Sequence, residues 1–168
     1  MKHRKTERGQ SLVELAISLV VLLFLLAGIV EFGLAFFQFV QLRDAAQEGA
    51  LYGSTNPSNV TGPGGIMDRI KGSSNTPIDL PTEITNGTVT VQININGYAS
   101  GTTDYDNRAC EGNALEVRVS YTHNVFMPFM CPVLGICTIP LNATVTDTIL
   151  APYKPANPPA TSATCVIP

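Results

Sequence analysis

Sixteen consecutive residues, Leu15 to Val30, carry no charge, and a single carboxylate, Glu14, stands directly before them. Apart from Ser18 and Gly28 the run is built from Leu, Val, Ile, Phe and Ala. A helix of this composition is apolar on every side, so it belongs in a bilayer or in a deep core and not on a wetted surface. No proline occurs before Pro57, and the pattern predicts one helix over residues 10–53, with Gly49, Gly53 and then Asn56-Pro57 ending it. From Gln10 to Tyr52 such a helix extends about 65 Å, against a hydrocarbon core of about 30 Å. A membrane span over about residues 12–31 uses half of it, and the other half must project beyond.

Charge orients the segment. Lys2, Arg4, Lys5 and Arg8 against Glu7 give residues 1–9 a net +3 in a chain of −3 overall, so the remainder is −6. Basic residues beside a span stay on the cytoplasmic side, which puts the C-terminal body outside the inner membrane. A basic tip on an acidic body is the wrong distribution for nucleic-acid binding, which needs a basic face along the fold. With 168 residues there is room for one span and one modest domain. All four cysteines, Cys110, Cys131, Cys137 and Cys165, lie in that outer part, as expected of two disulfides in an oxidising compartment. Three pairings are open. Pro132 and Gly135 make a turn that favours Cys131–Cys137, leaving Cys110–Cys165 to tie down the tail. With no CxxC pair and no nearby His, a metal site is not expected.

Past Glu31 the helix changes character. Gln38, Gln41, Asp44 and Glu48 recur at three- and four-residue steps as one polar stripe, while Phe32, Phe36, Phe39, Val40 and Leu42 cover much of the rest. That surface is too apolar to stand alone in water and needs a partner, from this chain or another. Residues 54–88 read as a connection rich in Gly, Pro, Ser, Asn and Thr, with one short helix at Ile66–Lys71. Residues 89–150 read as an antiparallel sheet domain. Its strand candidates run over Thr88–Asn96, Ala114–Val125 and Leu141–Leu150, with Val89, Val91, Ile93 and Ile95, then Leu115, Val117, Val119 and Tyr121, then Ala143, Val145 and Ile149 facing inward. Residues 151–168 form a Pro-rich tail. The fold class expected is α+β, with the outer half of the long helix covering one face of a small disulfide-stapled sheet.

Two carboxylates differ by depth. With Gln10 at the cytoplasmic interface, Glu31 falls about 32 Å further on, at the opposite interface, where it is expected to keep its charge in water. Glu14 has two readings. An acidic residue inside a span costs on the order of 2.5–3.5 kcal/mol at mid-membrane and calls for a cationic partner; alternatively it sits at the interface, where a helix N-terminus stabilises an anion. No catalytic residue is expected. The histidines are His3, in the leader, and His123, an ordinary sheet residue; no nucleophile motif accompanies either. Asp104-Tyr105-Asp106-Asn107 is read as a polar surface loop, because Arg108 stands where a calcium ligand is needed. No cofactor and no small-molecule substrate are implied.

Gly9-Gln10, with an acidic residue five positions after the glycine and an apolar run behind it, resembles the type III signal peptide of type IV pilin-like proteins. More closely, RGQSLVELAISLVVLLFLLAGIVEFGLAF, with its second acidic motif Glu31-Phe32-Gly33 and then LRDAAQEGA, resembles the TadE-like family of the Flp (tight adherence) pilus system. The resemblance covers about residues 8–52. It implies cleavage between Gly9 and Gln10 by a prepilin peptidase and a pseudopilin-like subunit of the inner membrane that packs with other pilin subunits and the assembly machinery. Glu14, Glu31 and Gly33 become assembly and helix-packing positions, and the freed amine of a neighbouring Gln10 becomes the cation that Glu14 lacks. Gln10 replaces the phenylalanine common in type IVa pilins, and the outer domain offers no motif to match.

The junction has two rival readings. Gly33-Leu34-Ala35 has the small-residue spacing that signal peptidase I prefers, which would release a secreted periplasmic binding domain; an uncleaved anchor would make the helix only a tether. Sequencing the mature N-terminus separates them. Prepilin-type processing gives Gln10, signal peptidase I gives Phe36, and a plain anchor retains Met1.

Overall fold

A computed structural model describes residues 7–127 and 130–150 together with Cys165. Residues 1–6, expected to belong to a leader, and the Pro-rich tail other than Cys165 lie outside the described residues. One helix, α1 (Glu7–Thr55), is followed by α2 (Ile66–Gly72), α3 (Leu80–Asn86), β1 (Val89–Ile95), β2 (Tyr98–Ala99), α4 (Thr103–Arg108), β3 (Ala114–Asn124), α5 (Met130–Leu134) and β4 (Thr138–Thr148). The four strands form one antiparallel sheet in the order β2-β1-β3-β4. The expected α+β architecture holds: the outer half of α1 lies along β3 and β4, and α2 packs beside it.

Period-two alternation decides the inner face. Val117 sits between Ile93 of β1 and Val145 of β4, and Val119 between Val91 and Ala143. Together with Val89, Ile95 and Leu115 they form the floor of the core, which Leu42, Ala45, Ala46 and Ala50 of α1 cover. Burying such side chains stabilises by roughly 1.5–3 kcal/mol each for Val, Leu or Ile, so this layer holds helix to sheet. A fourth strand appears where three were expected. Asn96 and Gly97 take φ values of 50° and 85°, the pair of left-handed residues that a tight hairpin turn demands, and β2 pairs back through Ile95↔Tyr98.

Several local expectations are corrected by packing. Gly49 and Gly53 do not end the helix, which continues to Thr55. Both are buried at close approaches: a Cβ on Gly49 would lie 2.6 Å from Ile70 Cγ1, and one on Gly53 would collide with Leu115. With Ala45, Ala46 and Ala50 they make a smooth seam onto which α2 and β3 seat. Gln41 is likewise buried and not on a wetted stripe; its amide donates to the carbonyl of Ile78 (2.6 Å) and its carbonyl accepts from the N–H of Ile78 (2.8 Å). It supplies the hydrogen bonds that the non-helical backbone there would otherwise lack. Glu48 does stay half exposed, 3.8 Å from Arg69.

The connection over 54–88 is more ordered than its composition suggests, because Ile66, Ile70, Ile78 and Leu80 anchor two short helices in the core. Pro81, near the start of α3, was the unread sign of that helix. Asp104–Asn107 forms a helical turn, not a loop. Thr102 caps it, and buried Tyr105 donates its hydroxyl to the carbonyl of Pro57 (2.9 Å). Burial first, and the Asp106 carboxylate second, push the Tyr105 phenol above its usual range, so it remains a donor. Cys131–Cys137 and Cys110–Cys165 are both disulfide-bonded, with Cα separations of 4.4 and 6.1 Å.

The seam gives a direct test. Gly49→Leu is expected to destabilise the domain by about 1–3 kcal/mol through overpacking against Ile70, although leucine is the better helix former. Chemical denaturation of the detergent-solubilised protein measures it; an unchanged or raised midpoint would refute the seam.

Candidate functional site

Along α1 exposure divides the helix in two. Every residue from Gly9 to Leu26 is exposed. Ala27 and Gly28 are half covered, and from Glu31 onward buried positions recur along one face at Glu31, Ala35, Gln41, Leu42, Ala45 and Ala46. The exposed portion has the length and composition to cross a membrane. The switch between the two regimes is Glu31.

Glu31 is 5 % exposed, which corrects the expectation that it keeps its charge in water. Its Oε1 lies 2.7 Å from His123 Nε2 and accepts the backbone N–H of Phe126 at 3.0 Å. The imidazole forms an ion pair when protonated and a hydrogen bond when neutral, and in both states the carboxylate is satisfied without water. His123 reaches this place by sheet geometry. It is the fifth inward position of β3 after Leu115, Val117, Val119 and Tyr121, and because α1 runs antiparallel to β3, the end of the strand meets the start of the packed half of the helix. The segment after β3 then folds over α1, bringing Met127 Cε to 3.9 Å from the point where Gly28 would carry a Cβ.

Reading β3 as ending its inward pattern at Tyr121 left His123 as an ordinary sheet residue. Continuing the alternation by one step would have placed it on the core face. Nothing in the sequence names its partner, because 92 residues separate the two side chains.

The remaining expected positions are not brought together. Gly9 and Gly33 have open space where a side chain would go, and Glu14 is exposed on the free half of the helix, about 25 Å along the axis from Glu31. Next to Gly33, the rings of Phe32 and Phe36 stack with centroids 6.4 Å apart, both exposed. One side of α1 is thus committed to the domain while the other, through Phe32, Leu34, Phe36 and Phe37, is apolar and uncovered. Chemically the arrangement offers a helix ready to pack, with no cleft of convergent nucleophile and base among the described residues. A half-open groove of about 490 Å³ lies between α1 and α2, lined by Asp44, Glu48, Asp68, Arg69, Gly72 and Ser73, and it is polar.

A family model described as TadE-like protein matches residues 9–51, the helix that carries Gly9, Glu14, Glu31 and Gly33. No curated protein and no solved structure matches the chain.

Removing one partner of a buried hydrogen-bonded pair leaves the other unsatisfied, at a cost of about 1–3 kcal/mol. Glu31→Ala and His123→Ala are therefore each expected to destabilise the helix–sheet contact by about that much, and the double variant by clearly less than their sum. A double-mutant cycle on thermal or denaturant unfolding measures the coupling. Strict additivity would show that the two side chains do not stabilise one another.

Proposed function

From a TadE-like segment over residues 9–51, we propose that this chain is a pseudopilin-like subunit supporting assembly of a Flp-type (tight adherence) pilus, for surface attachment or secretion. It spans the inner membrane once, N-terminus inside and the sheet domain outside, and is cleaved between Gly9 and Gln10 by a prepilin peptidase. The observation that carries this reading is the exposed half of α1. From Gly9 to Leu26 every residue of the helix is exposed, yet it bears a carboxylate at Glu14 before sixteen uncharged residues. A carboxylate so placed is costly in lipid unless a cation meets it, and among the described residues none forms an ion pair with Glu14. The free amine of Gln10 on a neighbouring processed subunit is a cation at the right depth, four residues from Glu14 or about 6 Å along the axis.

The uncovered side of α1 supports the same reading. Phe32, Leu34, Phe36 and Phe37 lie opposite the sheet and extend the packing surface beyond the span, while Gly33 lets a second helix come close. Enzymatic work is not proposed. A domain that used the helix only as a tether would need no carboxylate at position 14 and would insert better without it.

Two substitutions test the proposal. Glu14→Ala should still be processed to Gln10 but fail to enter pili, with surface attachment lost; normal piliation would remove the assembly role of that carboxylate. Gly9→Arg should abolish processing, seen as a mature protein larger by the leader on a gel, and a band of unchanged size would contradict cleavage at this junction.

A further inference from the structure

The connection from β3 to β4 has a composition foreign to an exposed loop. Residues 125–137, VFMPFMCPVLGIC, contain no charged and no hydrogen-bonding polar side chain other than the two cysteines. The chain from Val119 to Thr146 holds no Asp, Glu, Lys or Arg at all. Surface connections are ordinarily polar and variable in position. This one is apolar, and its described residues are held at both ends. Its start is fixed by the Phe126 N–H on Glu31 and by Met127 over Gly28. Its neck is closed by the Cys131–Cys137 disulfide and by the Val125 N–H on the Cys137 carbonyl at 3.0 Å. Being so fixed, it nevertheless leaves Phe126 88 % and Ile136 45 % exposed. An isolated exposed apolar side chain is unremarkable, but a constrained loop that presents a phenylalanine to solvent within a charge-free segment marks a contact surface.

Its position identifies the occupant. The residues of α1 that hold the loop are Gly28 and Glu31, where the uncharged run ends, and Gly28 lies about 4.5 Å on the membrane side of Glu31. Below them, from Leu26 back to Leu15, the helix is exposed and, Ser18 apart, apolar on every side. We propose that the β3–β4 loop inserts Phe126 and Ile136 into the boundary between headgroups and acyl chains of the leaflet facing the sheet domain. It is a second membrane contact beside the spanning helix, and the inference rests on the reading that α1 spans. A single helix is free to rotate and tilt in a bilayer, whereas anchors at the interface set both. With the loop fixed to α1 through Glu31, insertion defines which side of the helix faces lipid and which side, bearing Phe32 and Phe36, is turned toward a neighbour. Lipid needs no specific pocket, only apolar side chains without charged groups beside them, which this segment has.

The chain contains no tryptophan, so Phe126→Trp introduces a single reporter at an exposed position that the fold does not pack. The full-length variant is reconstituted in phosphatidylcholine vesicles, with Leu23→Trp as a second single-tryptophan variant in the middle of the span. Insertion predicts blue-shifted emission from Phe126→Trp, lost more strongly to lipids brominated near the top of the acyl chain than to lipids brominated near its end, and unchanged when protein is diluted with lipid. Leu23→Trp should show the reverse preference. Water-like emission without quenching at Phe126→Trp, while Leu23→Trp is quenched, would overturn the insertion and leave the span intact. Loss of quenching at both would overturn the span and the insertion together. A blue shift that is unquenched by either lipid and disappears on dilution would assign the loop to a second copy of the chain and also overturn the proposal.

Discussion

The buried carboxylate of Glu31 governs where one continuous helix changes its environment. On one side of it α1 is exposed; on the other it is half of a protein core. Nothing in the helical backbone marks this point, since α1 runs unbroken from Glu7 to Thr55. The change is made by contacts: His123 and the Phe126 N–H close on Glu31, Met127 sits over Gly28, and β3 with the segment after it cannot move away without leaving a carboxylate unsatisfied. A buried polar pair of this kind is costly to break from one side and therefore gives the helix–sheet contact a definite register, which apolar packing alone specifies less sharply.

The seam at the other end of the packed half does complementary work. Ala45, Ala46, Gly49, Ala50 and Gly53 present almost no side-chain volume, so α2 and β3 approach the helix backbone closely and bury Ile66, Ile70, Leu115 and Val117. Small residues at one end and a polar latch at the other hold the sheet along roughly 30 Å of helix. Such a long contact makes the span and the outer domain one lever. Force or rotation applied to the exposed half is transmitted to the sheet because no hinge residue interrupts α1 between them.

Much of this organisation could be read before folding. The uncharged run, its length against a bilayer, the α+β class, the inward sets of β1 and β3, and the pairing Cys131–Cys137 all follow from composition, periodicity or local turn chemistry, which depend on neighbours in sequence. The errors share the opposite cause. Gly49 and Gly53 have the composition of a helix end but are spacers for Ile70 and Leu115; Gln41 fits a polar stripe but closes the backbone of Ile78. Each was misread because its partner comes from a distant segment, and a helical wheel shows only which side a residue is on, not what covers that side. The Asn96-Gly97 hairpin and the proline at the start of α3 are different, since both signals were local and simply went unread.

By itself the sequence determined that one apolar helix dominates the chain, that it begins beside a basic segment and a carboxylate, and that alternating strands must find a cover for one face. Those are consequences of transfer free energy and backbone periodicity, which need no knowledge of the partner. Only the tertiary structure decided that the helix and β3 run antiparallel, and hence that the fifth inward residue of the strand, His123, meets the carboxylate at the end of the uncharged run. Depth along a helix axis could be calculated from 1.5 Å per residue. Whether Glu31 at that depth faces water or a histidine 92 residues away depends on which surface the sheet buries, and that is fixed only when the whole core closes.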